Sequence, residues 1–286
     1  MKDRKVVLSP LQRILGEDFN PTLLAIIVRK SFIWVIITLL TTTAGALLYL
    51  RYTQPIYETT AQLAIKPQNT AQTVGLTSPY ETIDESAQTL QKTVQVMRSN
   101  LIVERVVDSL PFKVSYFVEG KVLTQELYKN SPFDVTADVK NKIVYGVPMY
   151  LKFRRNNQFD LSYKIGRSAY SFSGRFNVPL NTKMFEVTIT KDSVFFHQYS
   201  EKQFLKSDFY FILNDRNSTV NDIRSRLRIS SPYPPVITVT IRDADPDKAA
   251  DICNMVNDQY IEYDKLQKAQ SSDQVLHFID TQIDSV

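Results

Sequence analysis

The sequence predicts an α+β membrane protein. It has one transmembrane helix, an α+β base with a β-sandwich inserted into it, and the start of a long protruding helix. Three observations lead there. Phe32 to Leu50 is nineteen residues without a charge. From Phe112 to about Ile229 the hydrophobic period is two. From Pro246 a helical pattern runs to Val286 without a breaker.

The apolar run comes first. As a helix it spans ~28 Å, close to the ~30 Å hydrocarbon core of a bilayer. Arg29 and Lys30 bound it on one side and Arg51 on the other. Thr38, Thr41, Thr42 and Thr43 can bond back to carbonyls of the preceding turn, so they do not forbid insertion. Trp34 near one end, and Tyr49 and Tyr52 near the other, suit the headgroup belts that flank Phe32 and Leu50. Ala44-Gly45-Ala46 looks like a signal-peptide cleavage site, but thirty-one residues precede the run and it continues through Leu47, Leu48 and Leu50. Lys2, Arg4, Lys5, Arg13, Arg29 and Lys30 precede the span, whereas only Arg51 and Lys66 fall in the twenty residues after it. The positive-inside rule then places the N-terminus in the cytoplasm and the bulk of the chain across the membrane. Residues 1–21 read as a loose polar tail, and Thr22–Lys30 as a short interfacial helix.

Composition narrows the function classes. The net charge is +4 on 286 residues, and Lys and Arg are dispersed. No basic stripe for nucleic acid is expected. Arg154-Arg155 and the alternating Arg224, Arg226 and Arg228 read as solvated faces. Cys253 is the one cysteine, so no intrachain disulfide forms. With His197 and His277 it offers no zinc spacing. Cys253 falls on an apolar helix seam and reads as a small core residue.

The order of elements follows from periodicity. Ile56–Ile65 alternates, with Tyr57, Thr59, Ala61, Leu63 and Ile65 on one face and Glu58, Thr60 and Gln62 on the other. Gln68–Tyr80 reads as a loop. Thr82 and Glu85 form a capping-box pattern. They open a helix from about 83 to 109, bent at 99–100 and stopped by Pro111. Its first seam is Ile83, Ala87, Leu90, Val94, Met97 and Leu101, and its second Val103, Val106, Val107 and Leu110. Eight strands follow: Lys113–Val118, Phe133–Val139, Met149–Arg154, Phe159–Ile165, Tyr170–Phe176, Phe185–Thr190, Ser193–Tyr199 and Phe209–Leu213. Turns such as Asn156-Asn157, Gly166 and Pro179-Leu-Asn181 separate them. A short helix is expected at Thr219–Arg226 and a strand at Val236–Arg242. Asp245 caps the last helix, with Pro246 at its first position. Two seams lie on that helix: Ala249, Ile252, Cys253, Val256 and Tyr260, then Val275, Phe278, Ile279 and Ile283. The second seam can pack within the subunit or against a neighbouring one, and the little chain left to cover it favours the neighbour. The helix leaves the body between Tyr263 and Gln274. Because the helical pattern reaches Val286 without a cap, the chain is expected to continue.

These divisions give a tail and interfacial helix at 1–30, a span at 31–51, a base at 52–111 and 219–262, a β-sandwich at 112–218 and the protruding helix at 263–286.

Two segments carry a resemblance. One is Pro55-Ile-Tyr57-Glu-Thr-Thr-Ala61-Gln-Leu63-Ala-Ile65. The other is Val239-Thr-Ile241-Arg-Asp243-Ala-Asp245-Pro246-Asp-Lys-Ala249-Ala-Asp-Ile252-Cys-Asn254-Met-Val-Asn257. In this order after a basic tail and a first span, they resemble the periplasmic part of the polysaccharide co-polymerases. These are the Wzz chain-length regulators and the Wzc-type tyrosine autokinases. Ser99-Asn100-Leu-Ile-Val-Glu-Arg-Val-Val-Asp-Ser-Leu110 is similar to that family's helix leading from the membrane. The β-rich middle, with Glu126-Leu-Tyr-Lys-Asn-Ser-Pro132, looks like the larger Wzc-like members of Bacteroidetes type.

The resemblance implies a membrane-proximal base in which the 56–65 strand pairs with the 236–242 strand. It implies a second span after the long helix and a ring of subunits, often of eight. It implies inner-membrane lipid, a polysaccharide polymerase and an outer-membrane export channel as partners. The product handled would be capsular polysaccharide or exopolysaccharide. ATP and Mg enter only if a cytoplasmic kinase domain follows, and no GxxxxGK[ST] occurs in the sequence. No catalytic, cofactor or metal site is expected in these residues. Asp243, Asp245 and Asp247 lack the glycine and distal glutamate of a calcium loop. A competing reading is a ligand-sensing or transporter-accessory domain anchored by two spans.

Overall fold

The computed structural model describes residues 21–65, 81–192, 204, 207–233 and 235–284. The chain divides into two compact units, Met1–Gln54 and Pro55–Val286.

The first unit contains one described helix, α1 (Pro21–Tyr52). The expected break between an interfacial helix and the span is absent. Arg29, Lys30 and Ser31 continue the same helix, because none of them removes a backbone donor or clashes with the preceding turn. Thr38, Thr41 and Thr42 donate to the carbonyls of Trp34, Ile37 and Thr38 at 2.8–2.9 Å.

In the second unit, β1 (Tyr57–Ala64) is followed by α2 (Glu81–Met97) and α3 (Asn100–Ser109). Helix α2 begins one residue ahead of the expected cap at Thr82, and the side chains of Thr82 and Glu85 lie outside the described residues. The expected bend is a full break at Arg98–Ser99, which resets the helical phase. Leu101, placed on the first seam by its spacing, is therefore 47% exposed, while Ile102 is fully buried. Ile102, Val103, Val106 and Val107 form the buried face of α3.

The β-rich middle holds β2 (Val114–Glu119), β3 (Thr124–Glu126), β4 (Phe133–Val139), β5 (Pro148–Arg154), β6 (Gln158–Ile165), β7 (Ser168–Arg175), β8 (Leu180–Asn181), β9 (Phe185–Lys191) and β10 (Asp208–Leu213). The expected strand at Ser193–Tyr199 lies outside the described residues. Strands β3 and β8 were not expected. The short β8 sits where Pro179-Leu-Asn181 reads as a turn, and only its pairing with β9 makes it a strand. Asn156 and Asn157 take positive φ (61° and 59°), as the turn between β5 and β6 requires.

These strands form a six-stranded antiparallel sheet, β3-β2-β10-β5-β6-β7, and a three-stranded sheet, β4-β9-β8. The two sheets share one core. Phe133 of β4 meets Tyr116, Phe153, Phe209 and Phe211 of the larger sheet, with ring centroids 5.3–6.3 Å apart. The Tyr116 hydroxyl accepts from the Val135 amide at 3.0 Å, joining the sheets by a hydrogen bond as well. Burial pushes that phenol up to about 12.

The remaining elements return to the base: α4 (Arg216–Arg226), β11 (Arg228–Tyr233), β12 (Val236–Asp243) and α5 (Pro246–Asp284). Helix α4 starts three residues before the expected Thr219. Asp215 is its cap and accepts from the Ser218 amide at 3.0 Å. Strand β12 lies between β1 and β11. It pairs with β1 from Tyr57↔Asp243 to Ala64↔Val236, the pairing that the resemblance implied. Ile237, Val239 and Ile241 are buried beneath α2, α3 and α5, and the opposite face of the sheet carries Glu58, Thr60, Gln62 and Arg242. The base is thus a one-sided antiparallel sheet under a helical layer.

Candidate functional site

Among the described residues no cluster of His, Cys, Asp and Glu side chains suited to a metal ion occurs. The first unit offers an apolar helix. The second, taken by itself, offers a sheet that runs into a long helix and a clamp of ion pairs that ties β3 and the segment after it to the start of that helix.

All side chains from Arg29 to Tyr52 are exposed, including Phe32, Trp34, Tyr49, Leu50 and the flanking Arg29, Lys30 and Arg51. A helix with its apolar residues spread over every face cannot be covered by a single packing partner. Its 24 residues from Arg29 to Tyr52 reach ~36 Å, enough to cross a bilayer.

Strand β12 ends where α5 begins. Asp243 Oδ1 accepts from the Asp245 amide at 3.1 Å. Asp245 Oδ1 in turn accepts from the amides of Asp247 (2.9 Å) and Lys248 (3.0 Å). Pro246 holds the first helical position, where no amide is needed. Helix α5 then packs back over the sheet. Ala249, Ile252, Cys253 and Val256 are fully buried. The Cys253 Sγ lies 3.5 Å from the Thr59 carbonyl and 3.6 Å from that of Val239. Burial pushes this thiol up to about 11, so it stays protonated and inert. Farther along, the Tyr260 hydroxyl meets Thr93 of α2 at 3.2 Å. From Lys265 onward every described side chain of α5 is exposed. At ~1.5 Å per residue its 39 residues measure ~58 Å.

The clamp forms where the insertion meets the first turns of α5. Lys248 Nζ lies 2.6 Å from Glu126 Oε1, with side chains 14% and 15% exposed. The same ammonium sits 5.9 Å from the Phe112 ring centroid. One turn on, Asp251 binds Lys129 at 2.6 Å. Burial raises the Glu126 carboxyl above its ordinary value, and Lys248 opposes the shift. Burial also raises the Tyr128 phenol, with the Asp251 carboxylate adding to it. A second tie joins α4 to α3, where Arg216 binds Asp108 through both carboxylate oxygens at 2.8 Å and Glu104 at 3.1 Å.

Sequence reasoning missed these ties. Glu126, Tyr128 and Lys129 belong to a segment singled out only for its resemblance, and their partners lie more than a hundred residues away. The alternating spacing of Arg224, Arg226 and Arg228 predicts a solvated face for Arg226. Instead its guanidinium binds Asp243 at 2.6 Å, where the carboxylate is 5% exposed, and Asp222 at 2.6 Å. A carboxylate in a strand otherwise buried at alternate positions was the signal available for that partner. The side chains of Val275, Phe278, Ile279 and Ile283 lie outside the described residues.

Residues 22–110 match the family model described as Wzz, chain length determinant protein. That stretch takes in most of α1, together with β1, α2 and α3. No curated protein matches the chain.

Proposed function

We propose, for a chain that carries a Wzz chain length determinant domain at residues 22–110, that it is an inner-membrane polysaccharide co-polymerase subunit. In this reading α1 spans the membrane with the N-terminus in the cytoplasm. Arg29, Lys30 and Arg51 mark the headgroup levels, with Trp34 and Tyr49 in the belts beside Phe32 and Leu50. The second unit is periplasmic. Its base stands next to the lipid, and the two facing sheets are a sandwich inserted into that base.

Copies assemble into a ring beside the polymerase and the export channel. The size of that ring's chamber limits how long the capsular or exopolysaccharide chain grows. The chain acts by position, without bond chemistry of its own. Val275, Phe278, Ile279 and Ile283 would meet the neighbouring subunit along the protruding part of α5. A cytoplasmic kinase domain, if the natural chain has one, would use ATP and Mg outside these residues.

One observation supports this reading above the others. Strand β1 begins five residues after the apolar helix ends, and its partner β12 runs directly into a 39-residue helix that outruns its own domain. A helix with that much exposed length gains stability from packing against something else. The test is mass photometry of the full chain in lipid nanodiscs, paired with polysaccharide length profiles from cells carrying or lacking the gene. A large cyclic oligomer and a changed length distribution are expected. A monomer in nanodiscs together with an unchanged profile would overturn the assignment.

A further inference from the structure

The outer face of the six-stranded sheet carries an aligned row of side chains. Pairing registers align Phe117, Tyr210, Tyr150, Ser162 and Ser171 across β2, β10, β5, β6 and β7. At ~4.8 Å per strand the row is ~19 Å long. Phe117 and Tyr210 stack, with centroids 4.8 Å apart and planes 11° from parallel. Tyr150 follows at 5.4 Å, tilted by 44°. The core lies on the opposite face, filled by Phe209, Phe211, Met149 and Leu151.

Tyr150 is the last aromatic of the row and is 38% exposed. Tyr210 flanks it on one side. On the other, Ser162 and Ser171 are too small to cover its ring. The result is an open groove of about 690 Å³ whose lining includes Tyr150, Ser162 and Ser171 together with the charged Glu119, Lys152, Lys164 and Asp208. Lys152 and Asp208 lie 3.3 Å apart. A protein partner would call for an apolar centre depleted of Lys and Asp. Here the exposed ring of Tyr150, with Tyr163 and Tyr170 also in the lining, adjoins hydroxyls and charges, within the size range of small-ligand clefts.

A pyranose ring has the matching chemistry. Its C–H face is apolar and lies flat on an aromatic ring, while its hydroxyl rim both donates and accepts hydrogen bonds. We infer that the groove beside Tyr150 is a glycan-contact site, in which one sugar ring of a polysaccharide lies on Tyr150 and its hydroxyls meet Ser162, Ser171 and Lys152. The site itself follows from the groove; only the choice of the cell's exported polysaccharide as natural ligand rests on the co-polymerase reading.

Saturation-transfer NMR on the full chain in nanodiscs tests it. The probes are laminarihexaose, isomaltohexaose, a mannuronic-acid hexamer and the polysaccharide isolated from cells that make the protein. At least one should receive saturation at its ring protons. Tyr150→Ala should weaken that binding about tenfold. Tyr150→Phe should keep it, since the ring remains. Tyr233→Ala, which removes a tyrosine 80% exposed on the base sheet, should leave it unchanged. Should Tyr150→Ala alter the circular dichroism, Ser171→Trp fills the groove from an exposed edge-strand position and should abolish binding. Absence of transfer to every probe, or undiminished binding in both Tyr150→Ala and Ser171→Trp, overturns the inference. A chain that binds no glycan yet still forms rings and sets length would sink this site and leave the co-polymerase reading standing. A chain that binds glycan as a monomer would do the reverse.

Discussion

Lys248 shows how much one side chain can hold. Its ammonium is nearly buried, and Glu126 is the carboxylate it neutralises. Truncating it to alanine leaves a desolvated acid without a partner, a loss of about 3 kcal/mol, to be read as a lowered denaturation midpoint. The same pair has a pH signature. In the unfolded chain Glu126 ionises near 4.5, and in the folded chain it ionises later because burial raises it. Over that window the folded state binds more protons, so this group's contribution to stability falls as pH rises above 4.5. Glu126→Gln should flatten the fall when melting is followed by circular dichroism upward from that pH. Asp108 has the opposite sign. Its hydrogen bonds to Arg216 lower its carboxyl, so the α3–α4 tie is present above 3.8 and is lost as acid protonates it. Gly174 has a steric role. A Cβ there would sit 2.6 Å from Phe159 Cζ, and Phe159 is fully buried. Gly174→Ala should therefore destabilise the fold by about 1–3 kcal/mol, measurable by thermal melting.

Among the elements, α5 matters most, and its start is a local matter. Asp245 accepts from the amides of Asp247 and Lys248, which the first turn leaves without helical partners, and Pro246 has no amide to satisfy. Asp245→Ala should cost about 1 kcal/mol in melting experiments, and Asp245→Asn should recover most of it. That start was legible because a cap followed by proline is a short-range signal. Helices α2 and α3 were legible as one helix whose apolar seam shifts at 99–100; that the shift is a full break, with Ile102 rather than Leu101 turned inward, was not. The exposure of Leu101 and burial of Ile102 depend on where α3 lands against α4 and α5. Strands with a clear alternation, such as β4 and β12, were readable within a residue or two. β3, β8 and β11 were not: the first two are too short to carry a period, and β11 buries one apolar residue, Ile229, so its sequence shows no alternation.

At the scale of the whole molecule, the proposed topology with Pro55–Val286 in the periplasm makes a labelling prediction. In a Cys253→Ser background, a cysteine placed at exposed Ser271 should react with a membrane-impermeant maleimide in intact spheroplasts. A cysteine at Ser9 should react only after lysis. The reverse pattern would invert the proposed topology. In the parent chain Cys253 itself should stay unlabelled until the protein unfolds, because its sulfur is fully buried.

From the chain alone came what nearest neighbours and periodicity determine: the apolar length of α1, the alternating faces of β1 and β12, and the capped start and unbroken length of α5. Each is fixed by residues a few positions apart, where solvent and backbone chemistry act in the same way whatever lies beyond. Tertiary structure alone decided the clamp of Glu126 on Lys248, the burial of Asp243 against Arg226, and the aromatic row ending at Tyr150. Those depend on registers between strands and helices far apart in sequence, and no local rule states which distant side chain will arrive.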